Sequence, residues 1–445
     1  MGLGRHGGGL GAAKYLARRG AILTISEQAA QDDLAEPLAE LADVPIHAIH
    51  CGGHDERDFT DAQCVVVNPA VRPDHPCLQL ARARRAQLTS EIELVLDDLH
   101  GRAPAHTIGV TGSNGKSTTA TMLRDILAAA GRRVWLGGNI GGSLLGELDR
   151  IGGDDWVVVE LSSFQLAHLS RRARLPKIAV VTTCAPNHLD WHGSFEAYVA
   201  AKRRLVSAPE TQAVLGAHDP VTRDWLRLRG GATRPGWPLD EIGPLALAGL
   251  HNRQNAALAA AAAEAAGVER PLIRQALAAF RGLEHRLQLV GRLAGRRFYD
   301  DSKATSPEAT IAALAAIGGP LWLLAGGVSK GASFAELAGN LVRCARGAAL
   351  FGAARGELAA SLDAMSTGFN HAACETLAEA LLWCWRRSRA GDAILLSPAC
   401  ASHDQFRDFQ ARGLAFREFV RDLKVPGEQP RHERPRRLAS RGALR

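Results

Sequence analysis

The stretch GVTGSNGKSTTATML, residues 109–123, gathers the residue types that hold phosphate. An apolar strand runs into a glycine loop, and Gly115, Lys116 and Ser117 open a helix. Backbone N–H groups of Gly112, Ser113, Asn114 and Gly115, with the N-terminus of that helix, can cradle a polyphosphate. Lys116 supplies counter-charge, the Ser117 hydroxyl can ligate Mg²⁺, and Thr118 completes the first turn. The strict spacing G-x-x-x-x-G-K-[ST] fails by one residue, because the leading glycine is Gly109 and Val110 stands where it is expected. A ligand-free glycine turn between strand and helix is the competing reading. Strand, lysine, serine and helix in this order favour the phosphate site.

Two further segments bring groups fit to hold metal. Glu160 ends the apolar run WVVVE, which sets a carboxylate at the C-terminal edge of a parallel sheet, where ligands collect. The segment NHLDWHGSFEAYVAAK places His188 and Asp190 after the strand KIAVVTT, at the same edge. Mg²⁺ prefers oxygen ligands, so Glu160 is a better candidate than any histidine alone. At the other end of the chain, Gly2, Gly4 and Gly7 spell G-x-G-x-x-G around Arg5 and His6, the spacing of a dinucleotide loop. Glu27 follows the next apolar run, where an acid would meet a ribose.

These residues need a scaffold, and strand–loop–helix alternation supplies one. Residues 1–97 alternate β-like runs (AILTI, CVVVN) with helical stretches; residues 98–283 hold TIGV, WVVVE and KIAVVTT between helices. Residues 284–423 hold RRFYDDS, PLWLLAGG, AALFGA and DAILLSP. The expected fold is α/β in three domains, each a parallel sheet covered by helices. The run NAALAAAAAEAAG is a helix by propensity, and its alanines suit close packing.

Composition narrows the partners. Net charge is +7, but the tail 424–445 holds seven Lys/Arg and two Glu, hence +5 of it. The remaining body is near neutral, which gives no reason to expect nucleic acid. Three prolines and no apolar periodicity predict a disordered basic tail. No run is long enough to enter a membrane. The eight scattered cysteines, with no C-x-x-C pair, read as reduced cytosolic thiols.

The segments TGSNGKSTT, GGNIG, ELSSFQL, NHLDWHGS with AAK, GLHNRQN, HR, DDSKAT, SKG and SPACASHDQF follow one another in the order seen in the Mur ligases. The resemblance covers residues 1 to about 423, and SKAT with SPACAS is most similar to the branch that adds glutamate to UDP-N-acetylmuramoyl-L-alanine. It implies a Rossmann-like UDP-binding N-terminal domain, a central ATPase-type sheet and a Rossmann-like C-terminal domain. It also implies a cytoplasmic monomer in peptidoglycan precursor synthesis, with ATP, D-glutamate and two Mg²⁺ sites. The substrate carboxylate would be activated as an acyl phosphate, which the amine of glutamate attacks; the protein's share is positioning and charge stabilisation.

By that resemblance Lys116 holds the γ-phosphate, Ser117 and Glu160 one Mg²⁺, and His188 and Lys202 a second. Lys202 is the position carbamylated in the family. Asn139 and Ser162 resemble contacts to the muramoyl substrate, and Gly4, Arg5, His6 and Gly7 the loop for its UDP. Asn252 and Asn255, three apart on one helix face, resemble adenine or ribose contacts. Arg286 and Asp301 resemble ATP contacts from the C-terminal domain. Lys303, Thr305, Lys330, Ser402 and Phe409 resemble the glutamate pocket, where cations and hydroxyls suit two carboxylates.

Three departures stand out: GGVSKGASF for an acid-containing glycine loop, Asn187 for an acid, and His403 for an apolar residue. None removes a group the chemistry requires. Alternative readings are ligation with L-glutamate, a folylpolyglutamate-synthase-like ligase, or an inactive nucleotide-binding scaffold. A nicotinamide oxidoreductase would leave the Lys116 loop without a role. Relatives carry an apolar strand before the opening glycines, so Met1 is expected to be an internal methionine taken as the start.

Overall fold

The computed structural model describes residues 1–3, 8–102, 106–229, 233–247, 249–317, 319–329, 331 and 333–423. They divide into two compact units, Met1–Arg281 and Gly282 onward.

In the first unit, β1 (Thr24–Ser26) pairs in parallel with β2 (Ala48–His50), and β3 (Cys64–Val66) with β4 (Gln87–Thr89). Residues Met1–Leu3 lie between these ladders: the Met1 ammonium donates to Val66 O at 3.0 Å, and Gly2 N donates to Ser26 O at 2.9 Å. The run SEIELVLDDL forms the helix Glu91–Arg102, which buries Ile92, Val95, Leu96 and Leu99.

Six parallel strands follow: β5 (Thr107–Thr111), β6 (Val134–Gly138), β7 (Trp156–Glu160), β8 (Ile178–Val181), β9 (Gln212–Leu215) and β10 (Thr233–Pro235), in the order β10-β9-β8-β5-β7-β6. Their residues are apolar on both faces because both faces are covered. Ile108, Val110, Val158 and Val180 pack on one side; Val157, Val159, Ala179 and Val181 pack on the other. The alanine run forms Leu250–Ala265, whose residues 256–263 are all buried beside the helix Lys116–Ala129. Small side chains let these two helices lie close together over the sheet. β5 is central, so the loop after it opens at the middle of the C-terminal edge, flanked by the ends of β7 and β8.

The second unit contains β11 (Gln288–Leu293), β12 (Arg296–Asp300), β13 (Leu321–Gly326), β14 (Gly347–Phe351), β15 (His371–Ala373) and β16 (Ala393–Leu396) in the order β11-β12-β16-β13-β14-β15. Among these described strands, β11 and β12 pair antiparallel and the other pairs are parallel. The segments DDSKAT, AGGVSKG and SPACAS therefore leave β12, β13 and β16 at one edge of this sheet.

Candidate functional site

The loop after β5 has a fixed shape. Gly112 (φ +152°) and Gly115 (φ +82°) adopt backbone conformations that side chains avoid, and a Cβ would overlap Thr182 Oγ1 at the first and Asn255 Oδ1 at the second. Ser113 N donates to Thr183 O at 2.8 Å and Asn114 N to Thr183 Oγ1 at 3.1 Å. The Ser113 hydroxyl donates to Ala185 O at 2.9 Å or shares a 2.7 Å bond with the Tyr198 hydroxyl. Asn255, expected at the adenine or ribose of the nucleotide, thus leans on the glycine loop; Asn252 stands a turn earlier on the same helix, half-buried.

Two lysines converge on this loop. Lys116 Nζ donates to Gly112 O at 3.0 Å and Ser113 O at 3.2 Å; Lys202 Nζ donates to the same Gly112 O at 2.9 Å. Lys202 stands on the helix Phe195–Arg203, only 1% exposed, with its ammonium 4.6 Å from the Tyr198 ring centroid. Burial, and then the neighbouring Lys116 charge, pull its pKa down to about 7. Tyr198, one turn before it, joins this helix to Ser113. Ser117 and Thr118 begin the helix Lys116–Ala129, Ser117 half-buried and Thr118 buried.

Glu160 ends β7 and is 1% exposed. Its Oε1 accepts from Asn139 Nδ2 at 2.9 Å, and Asn139 N donates to Glu160 O at 2.9 Å. Its Oε2 is buried with no hydrogen-bond partner among the described residues. A buried carboxylate oxygen left bare costs free energy unless a cation or donor meets it. His188 follows β8 with φ +54°, its ring 4.7 Å from Phe164; burial, and then the Lys116 charge, lowers its pKa, which favours the neutral imidazole. Among the described residues no three His, Cys, Asp or Glu side chains form a ready metal cage. Mg²⁺ keeps several waters and substrate phosphate oxygens, so the bare Glu160 oxygen beside the phosphate loop fits it without one. Ser162, expected at the muramoyl substrate, caps the helix Ser163–Ala167 through Gln165 N at 3.1 Å.

In the N-terminal region, Gly4, Arg5, His6 and Gly7 lie outside the described residues. Among the described residues, a cavity of about 620 Å³ is lined by Glu27, His54, Asn68, Arg72 and His75, among others. The Glu27 carboxylate accepts from Leu3 N at 2.7 Å and Gln28 N at 2.8 Å.

The second unit brings Arg286 and Asp301 together: Asp301 accepts from Leu287 N at 3.1 Å and from the Ser397 hydroxyl at 2.8 Å. Burial raises Asp301 to about 7, against those bonds and the Arg286 charge. Lys303 Nζ lies 5.7 Å from the Phe409 ring centroid, Ser402 is buried, and Thr305 is half-buried. Lys330 lies outside the described residues. Sequence reasoning missed the residue that binds these loops. Arg412 is fully buried and donates to Ser302 Oγ, Ser302 O, Gly326 O, Cys400 O and Ala401 O at 2.9–3.3 Å. Ser302 in turn donates to Phe409 O at 2.8 Å. His285, buried just before Arg286, bonds Asp300 at 2.7 Å, and Arg417 closes that cluster on Asp300 at 3.0 Å.

A central β-strand, a glycine loop holding two lysines, and a buried carboxylate oxygen at one sheet edge define a nucleotide-phosphate-binding α/β protein. Family models match in three stretches: Mur ligase MurD-like, N-terminal domain (1–90); Mur ligase middle domain (110–234); and Mur ligase, glutamate ligase domain (285–400). Similar proteins include the UDP-N-acetylmuramoylalanine--D-glutamate ligases of Solibacter usitatus, 38% identical over 95% of this chain and 97% of that one, and Symbiobacterium thermophilum, 37% identical over 92% and 95%. Among solved structures, the UDP-N-acetylmuramate-alanine ligase of Thermotoga maritima shares the fold at TM-score 0.56 and 19% identity, over 95% of this chain and 98% of that one. The chain belongs to the Mur ligase family, whose members depend on ATP. No helix among the described residues is long and apolar enough to cross a membrane.

Proposed function

We propose that this protein joins D-glutamate to UDP-N-acetylmuramoyl-L-alanine at the expense of ATP, as a cytoplasmic monomer in peptidoglycan precursor synthesis. Relatives that bear this activity in their names align over nearly the whole chain. The observation that carries the chemistry is the bare Oε2 of Glu160 at the sheet edge that also carries the Lys116 loop. In this reading the protein's groups work by position. Lys116 leaves its loop carbonyls to meet the terminal phosphate of ATP. Ser117 and Glu160 hold one Mg²⁺, and His188 with a carbamylated Lys202 holds the second; the metal supplies charge neutralisation at the phosphoryl group.

Two ammonium groups on the single carbonyl of Gly112 repel each other, and a pKa near 7 leaves Lys202 substantially neutral at physiological pH. Its free amine nitrogen can then attack CO₂; an N–C bond forms as one C=O π pair of CO₂ moves onto oxygen, the nitrogen loses a proton to solvent, and a carbamate anion that would serve as a metal ligand replaces the amine. The cavity beside Glu27 receives the UDP end of the acceptor, with Gly4 to Gly7 at its diphosphate and Asn139 and Ser162 along the muramoyl part. Asn252, Asn255, Arg286 and Asp301 serve ATP. Lys303, Thr305, Lys330 and Ser402 hold the two carboxylates of glutamate by charge-assisted and hydroxyl hydrogen bonds, and Phe409 is an apolar wall of that pocket.

The test is phosphate release by the full chain with ATP, Mg²⁺ and UDP-N-acetylmuramoyl-L-alanine, comparing D- and L-glutamate. Release with D-glutamate is expected. Release with L-glutamate alone would reassign the substrate, and none with either would remove the ligase reading.

A further inference from the structure

The wall of the N-terminal cavity is held by the segment that presents His188. Ala70, Val71 and Arg72 line that cavity, and each is also hydrogen-bonded to one of two segments farther along the first unit. Trp191 Nε1 donates to Ala70 O at 3.1 Å, His168 Nε2 to Val71 O at 2.8 Å, and Arg72 Nη1 to Asp190 O at 3.1 Å. A carbonyl only accepts, so His168 carries its proton on Nε2.

The partners of these three residues, Trp191, His168 and Asp190, sit on or at the end of two short helices that start beside the Lys116 loop. Ser163–Ala167 begins three residues after Glu160 and is C-capped by His168; Leu189–His192 begins immediately after His188. The two are clamped together by rings, with Trp191 4.9 Å from Phe164 and 6.0 Å from His168, and by a 3.0 Å hydrogen bond between His192 Nε2 and the Ser163 hydroxyl. One end of this strut faces the phosphate loop; the other grips three consecutive residues of the cavity wall.

We propose that Trp191 and His168 are positioning residues that set the cavity wall in register with the phosphate centre, so that a UDP-linked acceptor seated in the cavity presents its carboxylate where phosphate is transferred. The proposal rests on reading this cavity as the seat of that acceptor. Loosening the strut then misplaces the reacting carboxylate while leaving the ATP loop intact.

The experiment compares wild type with Trp191→Phe, His168→Phe, the double variant, and His168→Gln, which keeps an N–H donor. The double variant is expected to lose roughly tenfold to a hundredfold in kcat. KM for ATP stays within about twofold of wild type, because the loop is untouched. His168→Gln should recover most of the loss in the single His168→Phe variant. Wild-type kcat in the double variant, or a rise in KM for ATP equal to the fall in kcat, overturns the proposal. Should the double variant not fold, Trp191→Phe alone carries the test, with unchanged kcat as the refuting result. Calorimetric titration of the wild type with UDP-N-acetylmuramoyl-L-alanine separates the two readings: no binding refutes the cavity assignment itself, whereas binding without any effect of the strut variants on kcat refutes only the positioning role.

Discussion

At the phosphate loop, Lys116 and Lys202 share the carbonyl of Gly112, and Glu160 keeps one buried oxygen bare. In the second unit, Arg412 is just as buried, yet its guanidinium makes five hydrogen bonds to loop oxygens, and Asp300 is held by His285, Arg417 and Ser302 N. Both regions bury charge at the C-terminal edge of a parallel sheet. The first leaves that charge under-compensated, which is how a site for a charged ligand must look before the ligand arrives. The second consumes it internally, which makes a frame that holds loops at a fixed spacing. Function at the first should therefore be sensitive to charge, and at the second to geometry and stability.

The largest expected effect is at Lys116. Lys116→Ala removes a central phosphate counter-charge and should lower kcat by about a hundredfold to a thousandfold or more, with the thermal midpoint little changed. Near-normal turnover would mean the phosphate site is misassigned. Arg412→Met should show the opposite pattern. Five acceptors lose their donor, so the second unit should lose on the order of 2 kcal/mol or more in denaturant unfolding. Unchanged stability there would show that the loops are held by other contacts.

Two titrations of opposite sign sharpen the contrast further. Lys202 has its folded pKa lowered to about 7 from an ordinary 10.5. Between those values the unfolded chain binds more protons, so this residue's contribution to stability rises with pH across that window. Lys202→Met should flatten the rise, read as unfolding free energy between pH 7 and 10. Asp301 has its folded pKa raised to about 7 from 3.8. Here the native state holds the extra proton, and stability falls as pH rises from about 4 to 7. Asp301→Asn should stabilise the second unit more at pH 8 than at pH 4, by the smallest margin of the four, since Ser397 and Leu287 already compensate the charge. An equal gain at both values would refute the buried-acid account.

Much of the scaffold of the candidate site around Lys116 was legible because its signals are local. The apolar runs TIGV, WVVVE and KIAVVTT became β5, β7 and β8, and each of the three ends beside chemistry-bearing residues. Tyr198 was within reach of the same reasoning: it stands four residues before Lys202, one helical turn, and that spacing alone puts both on one face. Arg412 was not. In sequence it is one arginine among several on the polar-looking helix Phe409–Asp422, and its burial depends on oxygens from residues 302, 326, 400 and 401. Nothing near it in the chain announces them. Asn255 shows the same limit from the other side. Its helix and its face were readable, but only tertiary packing sets its Oδ1 against the backbone of Gly115.

Those enclosed glycines change what binding must cost. Gly112 and Gly115 serve as spaces already filled by Thr182 and Asn255, so the loop between them has little freedom left to surrender. Ordering a mobile phosphate loop would consume about 1 kcal/mol of entropy per residue fixed. Here that ordering is completed during folding, so under the proposed function the affinity gained from each phosphate contact would go into holding the nucleotide. The loop is a cast, and its glycines are the places where the mould touches.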